Sequence, residues 1–283
     1  MQGLARTQRG FTLIELITVI IILGVVSVGI SGFIRTGLGI YTDVTEREQL
    51  LSESRFVVER LNRELRGAVP NSVRIATNDT NTIQCIEFVP AQWVTFYISL
   101  PVLPEASVTM VTPQIADNSA GYTYAVGDSA IVYPTKMADV YDLTNNKRQI
   151  TTVCRDDILG DCTDKNNPGQ KAKFNLSGAF ADYSPASRVY FANQSVSYCA
   201  HSSGDIYRIE VDSINTSQTP YDSSLGTLMA ENLSNDLDIA SEMPFRVSDA
   251  SLTRNSLVHI LLTFERNEEV VNFSSEVHIP NVP

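Results

Sequence analysis

The chain has 283 residues, a formal net charge of −11 and a hydrophobic content of 43%. That length and apolar share support one sizeable core or two smaller ones. The acidity argues against a nucleic-acid partner, because phosphate binding demands a basic face.

Residues 1–10 form a leader that carries Arg6 and Arg9 and no acid. From Phe11 to Ile34 the chain is uncharged except for Glu15, at the fifth place of the run. As a helix, these 24 residues extend about 36 Å, enough to cross a bilayer. Arginines ahead of the span predict that the leader stays cytoplasmic and that the C-terminal bulk lies outside the membrane. A carboxylate inside such a span costs about 2.5–3.5 kcal/mol on insertion scales, so Glu15 needs a partner or a task. Gly10 has no side chain, which leaves the backbone there open to close approach. An ordinary secretory signal, cut after small residues such as Gly29 and Ser31, has an apolar core of only about 7–15 residues and fits this stretch less well.

The run Gly10-Phe11-Thr12-Leu13-Ile14-Glu15 resembles the type IV prepilin signal shared by type IV pilins and the pseudopilins of type II secretion. The resemblance implies cleavage between Gly10 and Phe11 by a membrane aspartyl prepilin peptidase, followed by N-methylation of Phe11. The amine freed on Phe11 is then expected to pair with Glu15 of a neighbouring subunit inside an apolar filament core, in a single axial register. The implied partners are the prepilin peptidase, other major and minor pilins joined through this helix, and the inner-membrane assembly platform.

Gly24, Gly29, Gly32, Gly37 and Gly39 predict a helix able to bend or locally unwind near residues 32–39. Residues 35–70 read as an amphipathic stalk helix. Val57 or Val58, Leu61, Leu65 and Ala68 recur at helical spacing, Glu59 and Arg63 form an i,i+4 pair, and Pro70 ends the run. The stretch from Gln49 to Ser72 resembles the MshO-type minor pilins of the mannose-sensitive haemagglutinin (MSHA) pilus. It is more loosely similar to the J-type minor pseudopilins of type II secretion. Cys85-Ile86-Glu87-Phe88-Val89-Pro90 is similar to the first strand after the helix in the MshO-type proteins.

Residues 71–283 predict a β-rich periplasmic head. β-Branched and aromatic residues mark strands at Val73–Ala76, Ile83–Val89, Thr95–Ser99, Ser107–Val111, Ser129–Tyr133, Arg188–Phe191, Val196–Cys199 and Ile206–Val211. A final pair, Leu257–Phe264 and Val270–Ile279, flanks a hairpin turn over Arg266–Glu269. The expected fold class is α+β and pilin-like: a long N-terminal helix followed by a mostly antiparallel sheet.

Cys85, Cys154, Cys162 and Cys199 all fall outside the membrane on this topology, in an oxidising compartment where disulfides form. Four cysteines allow three pairings. The favoured one joins Cys154 to Cys162 across a short polar loop and Cys85 to Cys199 between two strands. No Cys-x-x-Cys spacing exists and His201, His259 and His278 are scattered, so no metal or other cofactor is expected. Asp156, Asp157, Asp161 and Asp164 read as a solvated acidic loop, since the spacing of a calcium loop is missing. Trp93, Phe96 and Tyr97 read as core aromatics of a strand rather than a ligand patch. No Gly-x-Ser-x-Gly, His-Glu-x-x-His or phosphate loop occurs, and His201–Asp205 reads as a polar turn, so the chain is not expected to be an enzyme. The reading that results is a minor pilin that initiates or caps an MSHA-type pilus. A minor pseudopilin and a tip adhesin are the alternatives.

Overall fold

A helix, α1, occupies Leu13–Arg66. The structure is a computed structural model that describes residues 11–105, 108–113, 125–142, 146–153, 171–218, 226–248, 256–267 and 269–279. The chain divides into two compact units, one ending at Leu51 and the other beginning at Ser52. They are taken in turn.

In the first unit every residue from Phe11 to Ile34 is exposed. Residues 35–39 are helical, so the helix is not unwound at the glycines that would allow it. No proline interrupts the ladder, and threonine hydroxyls are satisfied by carbonyls of the preceding turn. Thr36 donates to the carbonyl of Gly32 at 3.1 Å, and Thr42 to those of Leu38 and Gly39 at 3.1 and 2.8 Å.

In the second unit the end of α1 buries Val57, Val58, Leu61 and Leu65, the helical spacing read from the sequence, while Phe56 stays exposed. Beyond it the chain is tied to strand ends: Val69 donates to Val89 at 2.8 Å and Ala91 to Gly67 at 3.0 Å. Asn71 takes a left-handed conformation (φ 60°), which asparagine tolerates at a turn.

The strands, in chain order, are β1 (Arg74–Thr77), β2 (Ile83–Phe88), β3 (Trp93–Phe96), β4 (Thr109–Pro113), β5 (Ser129–Val132), β6 (Lys147–Val153) and β7 (Lys171–Leu176). There follow β8 (Arg188–Ala192), β9 (Ser195–His201), β10 (Ile206–Val211), β11 (Thr227–Ala230), β12 (Phe245–Ser248), β13 (Ser256–Arg266) and β14 (Glu269–Ile279). A short helix, α2 (Ala138–Tyr141), lies between β5 and β6. The strands form three antiparallel sheets, ordered β1-β2-β9-β10-β11, β3-β8-β5-β6-β7-β4 and β12-β13-β14.

The five-stranded sheet is the base of the head. Its central strands β2 and β9 are buried on both faces, which is why they lack the alternation of a half-exposed strand. Cys85 and Cys199 stand directly opposite each other on these two strands and form a disulfide, packed with Ile209, Ile83 and Val211. Gln84 accepts from the Phe245 N–H at 3.1 Å, linking the base to the three-stranded sheet. Two charged clusters are built into the base. The carboxylate of Glu64 on α1 meets Arg60 at 2.9 Å and Arg208 on β10 at 3.0 Å. Arg74 and Glu87, cross-strand partners on β1 and β2, meet at 2.7 Å. The Arg74 guanidinium also donates to the carbonyls of Asn215 and Thr216 and lies 3.5 Å from the centre of the Tyr141 ring. These hydrogen bonds are what a buried cation requires.

All of β3–β8 lies between β2 and β9 in sequence. This inserted six-stranded sheet curls until its two ends meet. Ser99, just past β3, pairs with Val111 on β4, with Val111 donating to Ser99 at 2.9 Å. The interior side holds Met110, Ala130, Val132, Ile150, Phe174, Leu176, Val189 and Phe191. The Phe174 and Phe191 rings meet nearly edge to face, 5.6 Å apart. The alternate residues Ile131, Tyr190 and Ala192 pack on the other side against Val69, Val89, Val140 and Tyr141. β5 is therefore buried along its whole length because it is covered on both faces.

The fold is α+β and pilin-like, with three antiparallel sheets in place of the single one expected. The strand expected at Ser107–Val111 sits at Thr109–Pro113, and β6, β7, β11 and β12 were not foreseen.

The disulfide closes a 114-residue interval. Restricting a loop of that size in the unfolded chain is worth about 4–5 kcal/mol in the chain-entropy account, and native disulfides of this kind typically contribute about 2–5 kcal/mol. The double variant Cys85→Ala, Cys199→Ala is expected to lower denaturant stability by that amount, measured by urea unfolding. A change below about 1 kcal/mol would contradict this role.

Lys147 is buried and donates to the Tyr141 carbonyl at 2.7 Å. Burial lowers its pKa to about 8, with Asp142 acting in the opposite direction. Between about pH 8 and 10 the folded chain therefore holds fewer protons at this site than the unfolded chain, whose lysine stays charged. Lys147 makes stability rise with pH across that window. In Lys147→Met the increment in urea midpoint between pH 7.5 and 9.5 should be smaller than in the wild type. Identical increments would disprove the assignment.

Candidate processing and assembly site

The start of α1 is fixed by Thr12. Its hydroxyl accepts the Glu15 N–H at 3.4 Å, and its carbonyl accepts the Leu16 N–H at 3.3 Å. Thr12 and Glu15 are three residues apart, the spacing of a capping box. The Thr-x-x-Glu pattern is visible in the sequence, yet this local role was missed because the same residues carry the prepilin resemblance. The Glu15 carboxylate sits in the first turn, where the exposed N–H groups and the helix dipole favour negative charge. The helix start thus offsets part of the cost of a carboxylate in an apolar stretch. Thr18 adds a further local bond, its hydroxyl donating to the Glu15 carbonyl at 3.0 Å.

Phe11 precedes the helix and is 85% exposed; Gly10 lies outside the described residues. The Glu15 side chain is exposed, and its carboxylate has no hydrogen-bond or ion-pair partner among the described residues. Around it stand Leu13, Ile14, Leu16 and Ile17, all exposed apolar side chains. A single acceptor on an apolar rod is suited to a cation brought by a second apolar rod. α1 is long and apolar enough to cross a membrane.

The other residues singled out in the sequence lie elsewhere. Cys85 and Cys199 are bonded in the base sheet of the head. Cys154 and Cys162, with Asp156, Asp157, Asp161 and Asp164, fall outside the described residues. Among the described residues, no group of three or more His, Cys, Asp or Glu side chains is placed to hold a metal. Trp93 and Tyr97 pack against the interior of the six-stranded sheet, whereas Phe96, between them, is exposed. His201 ends β9 with its ring against Tyr207. The Tyr198 hydroxyl, buried in the base sheet, is pushed well above its usual pKa, first by burial and then by the negative charge of Glu64.

Residues 5–31 match the prokaryotic N-terminal methylation motif. The match spans Gly10 and Phe11 as well as Thr12 and Glu15, which build the helix start. The motif is of the prepilin type and supports a type IV pilin-like or pseudopilin protein. It implies processing by prepilin peptidase and association with other pilins, and it suggests a structural, non-enzymatic protein. Together with the apolar helix it fits a protein anchored in the inner membrane. No curated protein and no solved structure matches the chain.

Proposed function

We propose that this chain is a minor pilin of an MSHA-type type IV pilus, cut after Gly10, methylated on Phe11 and incorporated through its N-terminal helix to initiate or cap assembly. The observation that carries the reading is the helix start. A carboxylate stands in the first turn of an apolar helix, five residues beyond Gly10, and the first residue after the cut would bear a free amine. In this account residues 1–10 are the cleaved leader, 11–34 the membrane and filament-core helix, 35–70 the stalk, and 71–283 a periplasmic head that later reaches the cell surface. The MSHA assignment rests on the resemblance of the helix end, Gln49–Ser72, to MshO-type minor pilins. A head of this size is uneconomical as a repeating shaft subunit, which favours a place at the tip.

The Phe11 amine and the Glu15 carboxylate of a neighbour neutralise each other inside the packed helices, where either alone is costly. Each end of the pair sits at a fixed height on its helix, so the contact also sets the axial step between subunits.

Two variants in the native host test the account. Gly10→Leu should leave the precursor uncut in the inner membrane, and mass spectrometry of the wild type should give methyl-Phe11 as the mature terminus. Glu15→Ala should be inserted and cut normally yet be depleted several-fold from sheared pili. Normal incorporation of Glu15→Ala at wild-type protein level would sink the pairing mechanism. A mature terminus near Gly32 would sink the processing account.

A further inference from the structure

The end of α1 buries Val57, Leu61 and Leu65 in the head. Its opposite face carries Arg55, Glu59, Arg63 and Arg66, all exposed. None of the four has a hydrogen-bond or ion-pair partner among the described residues. Glu59 and Arg63, expected from their spacing to pair along the helix, do not meet. The ion pair of this stretch is instead Arg60 with Glu64, on the side that reaches Arg208 of the base sheet. In a chain of net charge −11, three unmatched arginines on one helix face run against the overall composition. Phe56, beside Arg55, adds a large apolar side chain that is 54% exposed. The face is both charged and uncovered.

Arg55, Glu59 and Arg63 follow one another at intervals of four, so they form a single stripe of alternating sign. Such a stripe is complementary to itself when shifted by one interval. A second copy, parallel to the first and displaced by four residues, is moved about 6 Å along the axis. Its Arg55 then lies level with Glu59, and its Glu59 level with Arg63. With no displacement, Glu59 faces Glu59. With a displacement of eight, Arg55 faces Arg63. Among parallel alignments, only the shift of four opposes unlike charges at two places. Arg66 gains no carboxylate in it, so the ladder has two rungs.

We propose that two copies of this chain pack side by side and parallel through this face of α1, displaced by four residues, with Arg55 and Glu59 of one opposite Glu59 and Arg63 of the other. The parallel direction rests on the reading above of a helix anchored in one membrane and packed with its neighbours. Phe11 and Glu15 are likewise four residues apart in the sequence. The amine–carboxylate pair and the ladder therefore call for one displacement, and a single alignment of two identical helices meets both. A different subunit would need the same charges at the same places, whereas a second copy has them by construction. Apolar side chains attract without regard to register, and exposed ion pairs add little affinity. The ladder acts on register, because the other parallel alignments oppose like charges or leave the stripe largely unmatched.

Two full-length copies with different tags, co-expressed and recovered from membranes in mild detergent, test this. At low salt one tag should bring down the other. Glu59→Arg makes the stripe uniformly positive, and the double change Arg55→Glu, Arg63→Glu makes its three positions uniformly negative. Each variant should recover its own kind several-fold less than the wild type does. The two variants mixed should recover each other as well as wild-type copies do, and less so as salt rises. Melting temperatures should stay near that of the wild type, because the altered side chains are exposed and without partners. Glu59→Arg should also recover less of the wild type than the wild type recovers of itself. Stronger recovery would indicate an undisplaced face, with Glu59 against Glu59, and would refute the register. Wild-type copies that fail to recover each other would overturn the proposal, as would variants that self-associate undiminished. Recovery of a different subunit in place of the second copy, lost in Glu59→Arg, would assign the face to that subunit and overturn it equally. A failure of the Phe11–Glu15 pairing is distinguishable: the two stripe variants would still complement each other, undiminished, in copies that also carry Glu15→Ala.

Discussion

A helix that is apolar around its whole circumference has no face to offer water. From Phe11 to Ile34 this chain places such a helix ahead of everything else it makes. The segment is stable only where something other than water covers it, such as a bilayer or the apolar faces of other helices. The head must in consequence assemble its core without help from that segment, and it does so. The buried residues of the second unit come from the end of α1, from the three sheets, from α2 and from the loops between them. The same constraint governs the one charge in the apolar stretch. Glu15 is placed in the first turn, where the open backbone N–H groups lessen its cost, and its carboxylate remains free for a partner from outside the chain.

The head handles its own buried charges differently. Arg74 is enclosed by a carboxylate, two carbonyls and an aromatic face, so its hydrogen-bonding capacity is met within a few ångströms. Glu64 is held between a cation of its own helix and one on β10, which fixes the rotation of the helix end against the base sheet. Glu15 contrasts with both. An open acceptor is a site for association, and a closed one is part of the scaffold.

Legibility from sequence followed how many faces an element buries. The end of α1 was readable because one stripe is buried and the rest wet, as Val57, Leu61 and Leu65 alternate with Glu59, Arg60 and Arg63. The β13–β14 hairpin was readable because Val258, Ile260, Leu262 and Phe264 recur at every second position and Asn267, with φ 50°, supplies a turn conformation that asparagine accepts. β6 was not readable. It begins Lys147-Arg148-Gln149, and nothing in those letters shows that Lys147 is buried against a carbonyl or that Arg148 lies along the Ala179 carbonyl. The closure of the six-stranded sheet was equally hidden, because it depends on the contact of Ser99 with Val111, two residues with no distinctive local pattern. At the helix start the difficulty was of another kind: one short motif holds two meanings, and the resemblance obscured the cap.

The position of the disulfide relative to the inserted sheet has a mechanical consequence. Cys85 and Cys199 bracket the whole of β3–β8, and both lie in the stapled base. A pulling force applied between the N-terminal helix and the C-terminal hairpin follows the covalent backbone to Cys85, crosses the sulfur bridge and leaves from Cys199. The residues between them carry none of that tension. Under such a load the six-stranded sheet is a passenger, able to vary in sequence and shape without weakening the link that bears the strain.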